Sequence, residues 1–404
     1  MKRKIFAVLL SCLLLGSCGA PSSTSEASSQ ADAAPTAESS ASSEAAEPAA
    51  AATEGVGVTY TFRQNATGTS FYNVTFAFVQ FDDDGKITDS YIDVLELADP
   101  TVTMASCPRY AVVGDTVDWY NLETQETTQV EVTPEMAQEL VSSWRTKRER
   151  GDEYGMAGAG EWYEQMDAYQ AFFQGKTVEE LKEWEATGLD ENGKPVDAVS
   201  GATMSVNDAH SDILGAIYKA WDNRSDYIAC EKEGYGFTYT VRQNAAGTTF
   251  YNVAFSRVKL DEAGKIVDNY EDVLELADPT VTMASCPRYA VVGDTVDWYN
   301  LETQETTQVE VTPEMAQELV SSWRTKRERG DEYGMAGAGE WYEQMDAYQA
   351  FFNGKTAEEL TQWEATGLDE NGKPVDAVSG ATMSINDAHS DILGALLKAM
   401  DAAV

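Results

Sequence analysis

A nine-residue stretch, Asp197-Ala-Val-Ser-Gly-Ala-Thr-Met-Ser205, recurs letter for letter as Asp376-Ala-Val-Ser-Gly-Ala-Thr-Met-Ser384, 179 positions further on. Each copy sets small residues, Ser200-Gly201-Ala202 or Ser379-Gly380-Ala381, against one hydroxyl, Thr203 or Thr382, with Asp197 or Asp376 upstream. A polar turn precedes each copy (Asp190 to Pro195, Asp369 to Pro374). Apolar residues at steps of three and four follow, as at Val206, Ala209, Ile213, Ile217 and Ala220, and predict a helix. Ser205 with Asp208, and Ser384 with Asp387, fit a capping box at its start. Each threonine then stands just ahead of a helix N-terminus, whose unpaired N–H groups and positive dipole end favour a phosphate. The alternative is a tight turn in which the threonine is simply polar.

Other reactive residues are sparse. The only two histidines, His210 and His389, lie seven residues beyond the threonines. On the expected helix that is two turns, about 10.5 Å, which is too far to act on a bound phosphate. Cys107 and Cys286 are repeat equivalents, each before a proline, and Cys230 stands alone. No Cys-x-x-Cys occurs, so neither a haem attachment nor a thioredoxin-type site is present, and no nucleophilic triad or metal-ligand spacing is found. With 28 Lys and Arg against 68 Asp and Glu, the formal charge is −40. Such a surface repels nucleic acid and anionic headgroups, which excludes a nucleic-acid partner.

The elements that must position the motif come twice. Thr59 to Trp221 aligns without a gap on Thr238 to Met400, and Asp93 to Phe173 is identical to Asp272 to Phe352. The two copies must share one fold, and each is long enough to bury a core of its own, giving two domains in series. Tyr60 to Arg63 and Phe71 to Phe81 alternate as half-buried strands do, and Asp82-Asp-Asp-Gly85 turns into a strand from Lys86 to Leu95. Thr101 to Val132 reads as β-rich. Thr133-Pro134 opens a helix expected to run to about Arg150, with Gly151 ending it. Glu161 to Phe173 is helical, and Thr177 with Glu180 boxes the start of another helix. The class is α+β: two tandem repeats, each an antiparallel sheet packed with helices.

Ahead of the repeats, Lys2-Arg3-Lys4 and the apolar run from Ile5 to Leu15 read as a targeting segment. Leu15-Gly16-Ser17-Cys18 resembles a bacterial lipobox, which makes Cys18 the expected lipidated residue of an extracytoplasmic, membrane-anchored lipoprotein. Residues 19–54 are mostly Ala, Ser, Glu, Pro and Thr, cannot bury enough surface to order themselves, and read as a disordered tether of about 30–35 Å r.m.s. reach.

Asp-x-x-Ser-Gly-Ala-Thr resembles the flavinylation motif of FMN-binding domains, found in Rnf and sodium-pumping NADH:quinone reductase subunits and in extracellular electron-transfer lipoproteins. Asp-Gly-Lys-Ile before a strand is similar to that family too, as are Gly151-Asp-Glu-Tyr-Gly-Met156, Trp162-Tyr-Glu-Gln165 and Gly175-Lys-Thr177. Met204 and Met383 stand where its members usually carry Ser or Thr. The resemblance implies two FMN groups, joined by a flavin transferase as phosphodiesters to Thr203 and Thr382. Asp197, Ser200, Gly201, Ala202, Asp376, Ser379, Gly380 and Ala381 would then be the recognition residues. It also implies Tyr154, Met156 and Trp162, with Tyr333, Met335 and Trp341, along the flavin rings, although aromatic residues near a helix are more often core than cofactor wall. A covalent ester would retain an anionic cofactor on an acidic surface and leave its ring free for redox work.

The domains implied are a signal at 1–18, a linker at 19–54, FMN-binding domains at 55–222 and 235–404, and a connector at 223–234. The function expected is a relay of electrons from a membrane donor, a quinol or NADH dehydrogenase system, to an extracellular acceptor. Non-covalent capture of flavin or another ligand, and a flavin-dependent reductase, are the alternatives. The reductase reading wants acid–base residues of which the sequence shows no candidate.

Overall fold

A computed structural model describes residues 50–404 apart from Ala157, Ala198, Ala336 and Ala377. The targeting segment, Cys18 and nearly all of the expected tether lie outside the described residues. The tether ends earlier than expected, because the first strand begins at Thr53 and buries Glu54.

In the first repeat, β1 (Thr53–Gln64), β2 (Ser70–Phe81) and β3 (Ile87–Ala98) form an antiparallel meander. The Asp82 carboxylate closes the β2–β3 turn by accepting from the N–H groups of Asp84 and Lys86 at 2.9 and 2.8 Å. A hairpin of β4 (Thr116–Asn121) and β5 (Glu126–Glu131) follows, so the stretch expected to be β-rich is strand only in its second half. Then come α1 (Pro134–Ser142), α2 (Lys147–Arg150), α3 (Trp162–Phe173) and α4 (Val178–Gly188). The two-residue strands β6 (Asn207–Asp208) and β7 (Ser211–Asp212) lead into α5 (Ile213–Asp222). In the connector, β8 (Ser225–Asp226) pairs with the start of β1. The second repeat repeats the order: β9 (Lys232–Gln243), β10 (Thr249–Leu260), β11 (Ile266–Ala277), β12 (Thr295–Tyr299), β13 (Thr306–Glu310), α6 (Pro313–Ser321), α7 (Lys326–Arg329), α8 (Trp341–Phe352), α9 (Ala357–Gly367), β14 (Asn386–Asp387), β15 (Ser390–Asp391) and α10 (Ile392–Ala402). The α+β class is observed.

The single helix expected from Pro134 to Arg150 is two. The chain leaves α1 at Ser143, and Thr146 starts α2 with a capping box to Glu149. Between them Trp144 turns inward and donates from Nε1 to the Arg109 carbonyl at 2.7 Å.

Each sheet buries both faces. On the outer face, Ala77, Val79, Phe81, Ile92 and Val94 lie under α3, α4 and α5 of the same repeat. Gly57 lets α5 press onto β1, since a Cβ there would lie 1.9 Å from the Ala216 carbonyl oxygen. On the inner face, Val58, Tyr72, Val74, Phe76 and Phe78 meet Phe237, Tyr251, Val253 and Phe255 of the other sheet in one core. The layers run helices, sheet, sheet, helices. To the expected series of domains the structure therefore adds a common core. Reciprocal contacts lock it: Trp144 stacks on Tyr251 with ring centroids 5.0 Å apart, and Trp323 lies 5.0 Å from Tyr72. The Tyr72 and Tyr251 hydroxyls donate to the carbonyls of Ala290 and Ala111 at 3.1 and 2.9 Å.

Buried carboxylates set a pH dependence. Burial pushes Asp93 and Asp272 up to about 6. Burial together with neighbouring carboxylates does the same to Asp115, to about 6, and to Asp294, to about 7. A carboxyl raised in the folded state holds its proton longer than in the unfolded chain, so stability falls as pH rises from the ordinary carboxylate range through 6–7. Glu96 and Glu275 are lowered: burial opposes their charge, but Lys147, Arg63 and Arg150, or Lys326, Arg242 and Arg329, outweigh it. Their contribution is lost as pH falls below the ordinary glutamate value. Thermal unfolding followed against pH should therefore show maximal stability near pH 5 and a lower melting temperature at pH 8; a maximum at pH 8 would contradict the assignment.

Candidate functional site

The repeated motif is a surface loop, not the mouth of a helix. Val199 accepts from the Ala202 N–H at 3.0 Å, closing a turn in which Gly201 takes φ +85, a conformation that favours glycine. Asp197, Ser200, Gly201 and Thr203 are exposed, while Ala202 and Met204 anchor the loop in the core. The second copy is the same at Asp376, Ser379, Gly380 and Thr382, with Ala381 and Met383 buried.

The helix expected at Ser205 begins eight residues later, at Ile213, capped by Asp212, whose side chain accepts from the Gly215 N–H at 2.9 Å. The expectation that a helix N-terminus would receive a phosphate at Thr203 is thereby overturned. Val206 and Ala209 instead belong to the β6–β7 hairpin segment. Its tip is pinned to the sheet, because the Ala209 carbonyl accepts from Thr61 Oγ1 and Asn73 Nδ2 at 3.0 and 3.1 Å. Three-residue spacing fits helix and hairpin alike over so short a run, and these tertiary bonds decide between them.

The hairpin also corrects the histidine. Folding back at Asp208 to Ser211 brings His210 to the same cleft as Thr203, so the helical separation does not apply. Its Nδ1 lies 2.9 Å from Asp208 Oδ2. Burial would raise Asp208, but the hydrogen bonds and charge of His210 outweigh it and hold the carboxyl down at about 2.

That cleft, of about 280 Å³, brings together Thr203, Tyr154, Met156 and Trp162 with Lys147 and Lys194. Its counterpart, of about 290 Å³, gathers Thr382, Tyr333, Met335 and Trp341 with Lys326 and Lys373. Elements far apart in sequence build each wall. Trp162 opens α3 and is buried. Tyr154 closes the 3₁₀ turn after α2, and the guanidinium carbon of Arg150 sits 4.5 Å from its ring centroid. Lys147 is buried at the start of α2, with its ammonium 5.2 and 5.6 Å from the Tyr154 and Trp162 ring centroids. Burial opposes its charge, but Tyr154 and Glu96 outweigh that and hold the ammonium above its usual pKa. In a chain of charge −40, a cleft with two lysines is a local positive spot.

Gln165 on α3 fixes the threonine. Its Oε1 accepts from the N–H groups of Thr203 and Met204 at 2.9 and 3.1 Å and from Thr203 Oγ1 at 3.3 Å. Its Nε2 donates to the Gly160 carbonyl at 2.9 Å, and the Tyr169 hydroxyl donates to the Met204 carbonyl at 2.6 Å. Gln344 holds Thr382 in the same way. Gln165→Leu would orphan the two N–H groups, each at a cost of about 1–3 kcal/mol when buried. The expected result is a lower melting temperature and faster proteolysis of the 199–206 loop, with the Thr382 loop unchanged as an internal control.

Lys147, Lys194 and Gln165 were not singled out by the sequence, and His210 was set aside as too distant. Gln165 was inside a quoted motif, but nothing local says that its amide holds a loop 38 residues away. Among the described residues no cluster of His, Cys, Asp and Glu could hold a metal ion, and no helix is long and apolar enough to cross a membrane.

No protein-family model matches the chain, and no solved structure does. The chain is 30% identical over 208 residues to chlorophenol reductase of Desulfitobacterium hafniense, a match covering 43% of this chain and 58% of that protein. The chain thus spans less than two thirds of the relative's length. The similarity is to a protein named for a redox reaction.

Proposed function

We propose that the protein is an extracytoplasmic flavoprotein that carries FMN as a phosphodiester on Thr203 and on Thr382 and relays electrons. The observation that carries the reading is an exposed threonine hydroxyl at the edge of a cleft with aromatic and thioether walls and two lysines. The donor set fits the group. Trp162, Tyr154 and Met156 offer flat, polarisable surface for a ring, while Lys147, Lys194 and His210 supply cationic or hydrogen-bonding atoms for its phosphate and polar edge. At about 280 Å³ the cleft sits near the lower end of small-ligand sites, about 300–1,000 Å³, as suits a cofactor held partly outside and tethered by a bond. When bound, FMN supplies one- and two-electron chemistry. Gln165 orients the threonine, Lys147 favours added negative charge beside the ring position, and the exposed Asp197, Ser200 and Gly201 are within reach of a flavin transferase.

Cys18 would anchor the chain to the membrane through lipid, beside a quinol or NADH dehydrogenase donor, with an extracellular acceptor beyond. A surface of charge −40 favours partners with basic docking patches, and such encounters weaken as salt rises. Stopped-flow reduction by a membrane donor tests this: bleaching of the flavin band should slow as ionic strength increases. A reductase reading is favoured by the name of the relative and by His210 in the cleft, paired with Asp208. Turnover of a small substrate at enzyme-like, salt-independent rates would establish it and overturn the relay.

A further inference from the structure

The residues lining the two clefts are of the same types position by position, yet the layer behind them is not. On the outer face of the sheet, the first repeat carries Ile92 and the second Glu271. Ile92 sits in the apolar cluster with Trp162, Met166 and Tyr169. Glu271 occupies the corresponding place fully buried under α8. Its only bonded side-chain partner is Ser256 Oγ, at 3.2 Å from Oε1, while Oε2 has none among the described residues.

The hydrogen bonding around this position differs as well, and Asn269, in place of Ser90, donates to the Gln349 carbonyl and to Asn353 Oδ1 at 3.2 and 2.8 Å. In the first repeat, Gln170 Oε1 accepts from Arg148 Nη2 at 2.5 Å and from the Ile92 N–H at 3.3 Å, and Gln170 Nε2 donates to the Ser90 carbonyl at 2.5 Å. In the second, Arg327 Nη2 and Gln349 Nε2 both lack partners among the described residues. Arg327 keeps its bond from Nε to the Glu271 carbonyl at 2.8 Å and its pair with Asp346 at 2.8 Å. Its guanidinium carbon lies 6.0 Å from the ring centroid of Trp341, a wall of the second cleft. Arg327 thus links the Glu271 segment of the sheet to a wall of the second cleft.

Resting on the proposed flavin at each threonine, we infer that Glu271 is a positioning and tuning residue that makes the two flavins unequal, its ionised carboxylate lowering the potential of the one at Thr382 below that of the one at Thr203. An added electron is disfavoured by a fixed negative charge in a dry environment, where charges interact strongly. The groups facing Glu271 are Ser256 from β10, Asp268 from its own strand, Arg327 from α7 and Gln349 from α8. Burial, partly offset by Gln349, Arg327 and Ser256, pushes its carboxyl up to about 7. The inequality should therefore open as pH rises through neutrality. Electrons would then pass from the Thr382 flavin, which is oxidised, to the Thr203 flavin, which is reduced.

The test uses the full chain with one flavin at a time. Thr203→Val keeps only the second flavin and Thr382→Val only the first, with intact mass confirming a single FMN on each. Failure to carry FMN at all counts against the proposed function and is distinguishable from failure of this inference. Midpoint potentials are then measured anaerobically from about pH 5.5 to about pH 8.5, spanning the titration of a raised glutamate. The two potentials should lie close at the acid end and separate as pH rises, the second falling below the first. Glu271→Gln, or Glu271→Ile with the residue of the first repeat, should remove the separation. Ile92→Glu in the Thr382→Val chain should lower the first potential at high pH. Potentials that run parallel across the range, or a separation that survives Glu271→Gln, would overturn the inference.

Discussion

Thr203→Val and Thr382→Val each remove one flavin from the denatured chain, and the double variant is colourless and redox-silent while melting close to the parent temperature. The expectation of an unchanged fold comes from the geometry. Thr203 is exposed, and its hydroxyl makes one long contact, 3.3 Å to Gln165 Oε1. Losing such a bond at the surface costs at most about 0.5–1.5 kcal/mol. The backbone N–H that Gln165 holds is unaffected by the substitution. Valine keeps the shape and deletes only the oxygen that would form the ester. A double variant that still binds flavin tightly would favour non-covalent capture and count against the phosphodiester.

A chain of residues 232–404 alone will not persist as a folded monomer; it will pair with a second copy or aggregate. Removing the first repeat exposes Phe237, Tyr251, Val253, Phe255, Leu274 and Leu276, all at most 2% accessible in the whole chain. It also strips Trp144 from its stack on Tyr251, and losing a buried tryptophan by truncation alone costs about 3–5 kcal/mol. The two repeats meet through equivalent surfaces, so a second copy can take the place of the missing one. Sedimentation of the purified half measures this. A stable monomer with cooperative unfolding would show that each repeat is self-sufficient and that the shared core is incidental.

What the sequence disclosed divides along physical lines. The meander, its Asp82 turn, α3 and the capping box of α4 rest on local chemistry, and each was legible from a few neighbouring residues. The shared core was not: the alternation suggested half-buried strands, whereas β2 is buried along nearly its whole length, and only Val58, Tyr72 and Phe76 facing Phe237 and Phe255 reveal the sheet that covers the second face. At the site, Thr203 and the aromatic residues Tyr154 and Trp162 were each visible, and the structure places them around one cleft. Lys147 was hidden within a run of charges, where the Thr133-Pro134 start and Gly151 stop predicted one long helix. The break at Ser143, which turns Trp144 inward and buries Lys147, depends on a tertiary bond to Arg109. His210 was misplaced for the same reason: bonds from Thr61 and Asn73 to Ala209 favour a hairpin over the helix that spacing suggested.

A covalent flavin on each threonine is tested most directly by the mass of the denatured chain followed by peptide mapping. The chain is produced with an active flavin transferase and FAD, unfolded, and freed of everything not bonded to it. Two FMN adducts, one on the peptide containing Thr203 and one on that containing Thr382, are the predicted result. Unmodified threonine at both positions would contradict the account.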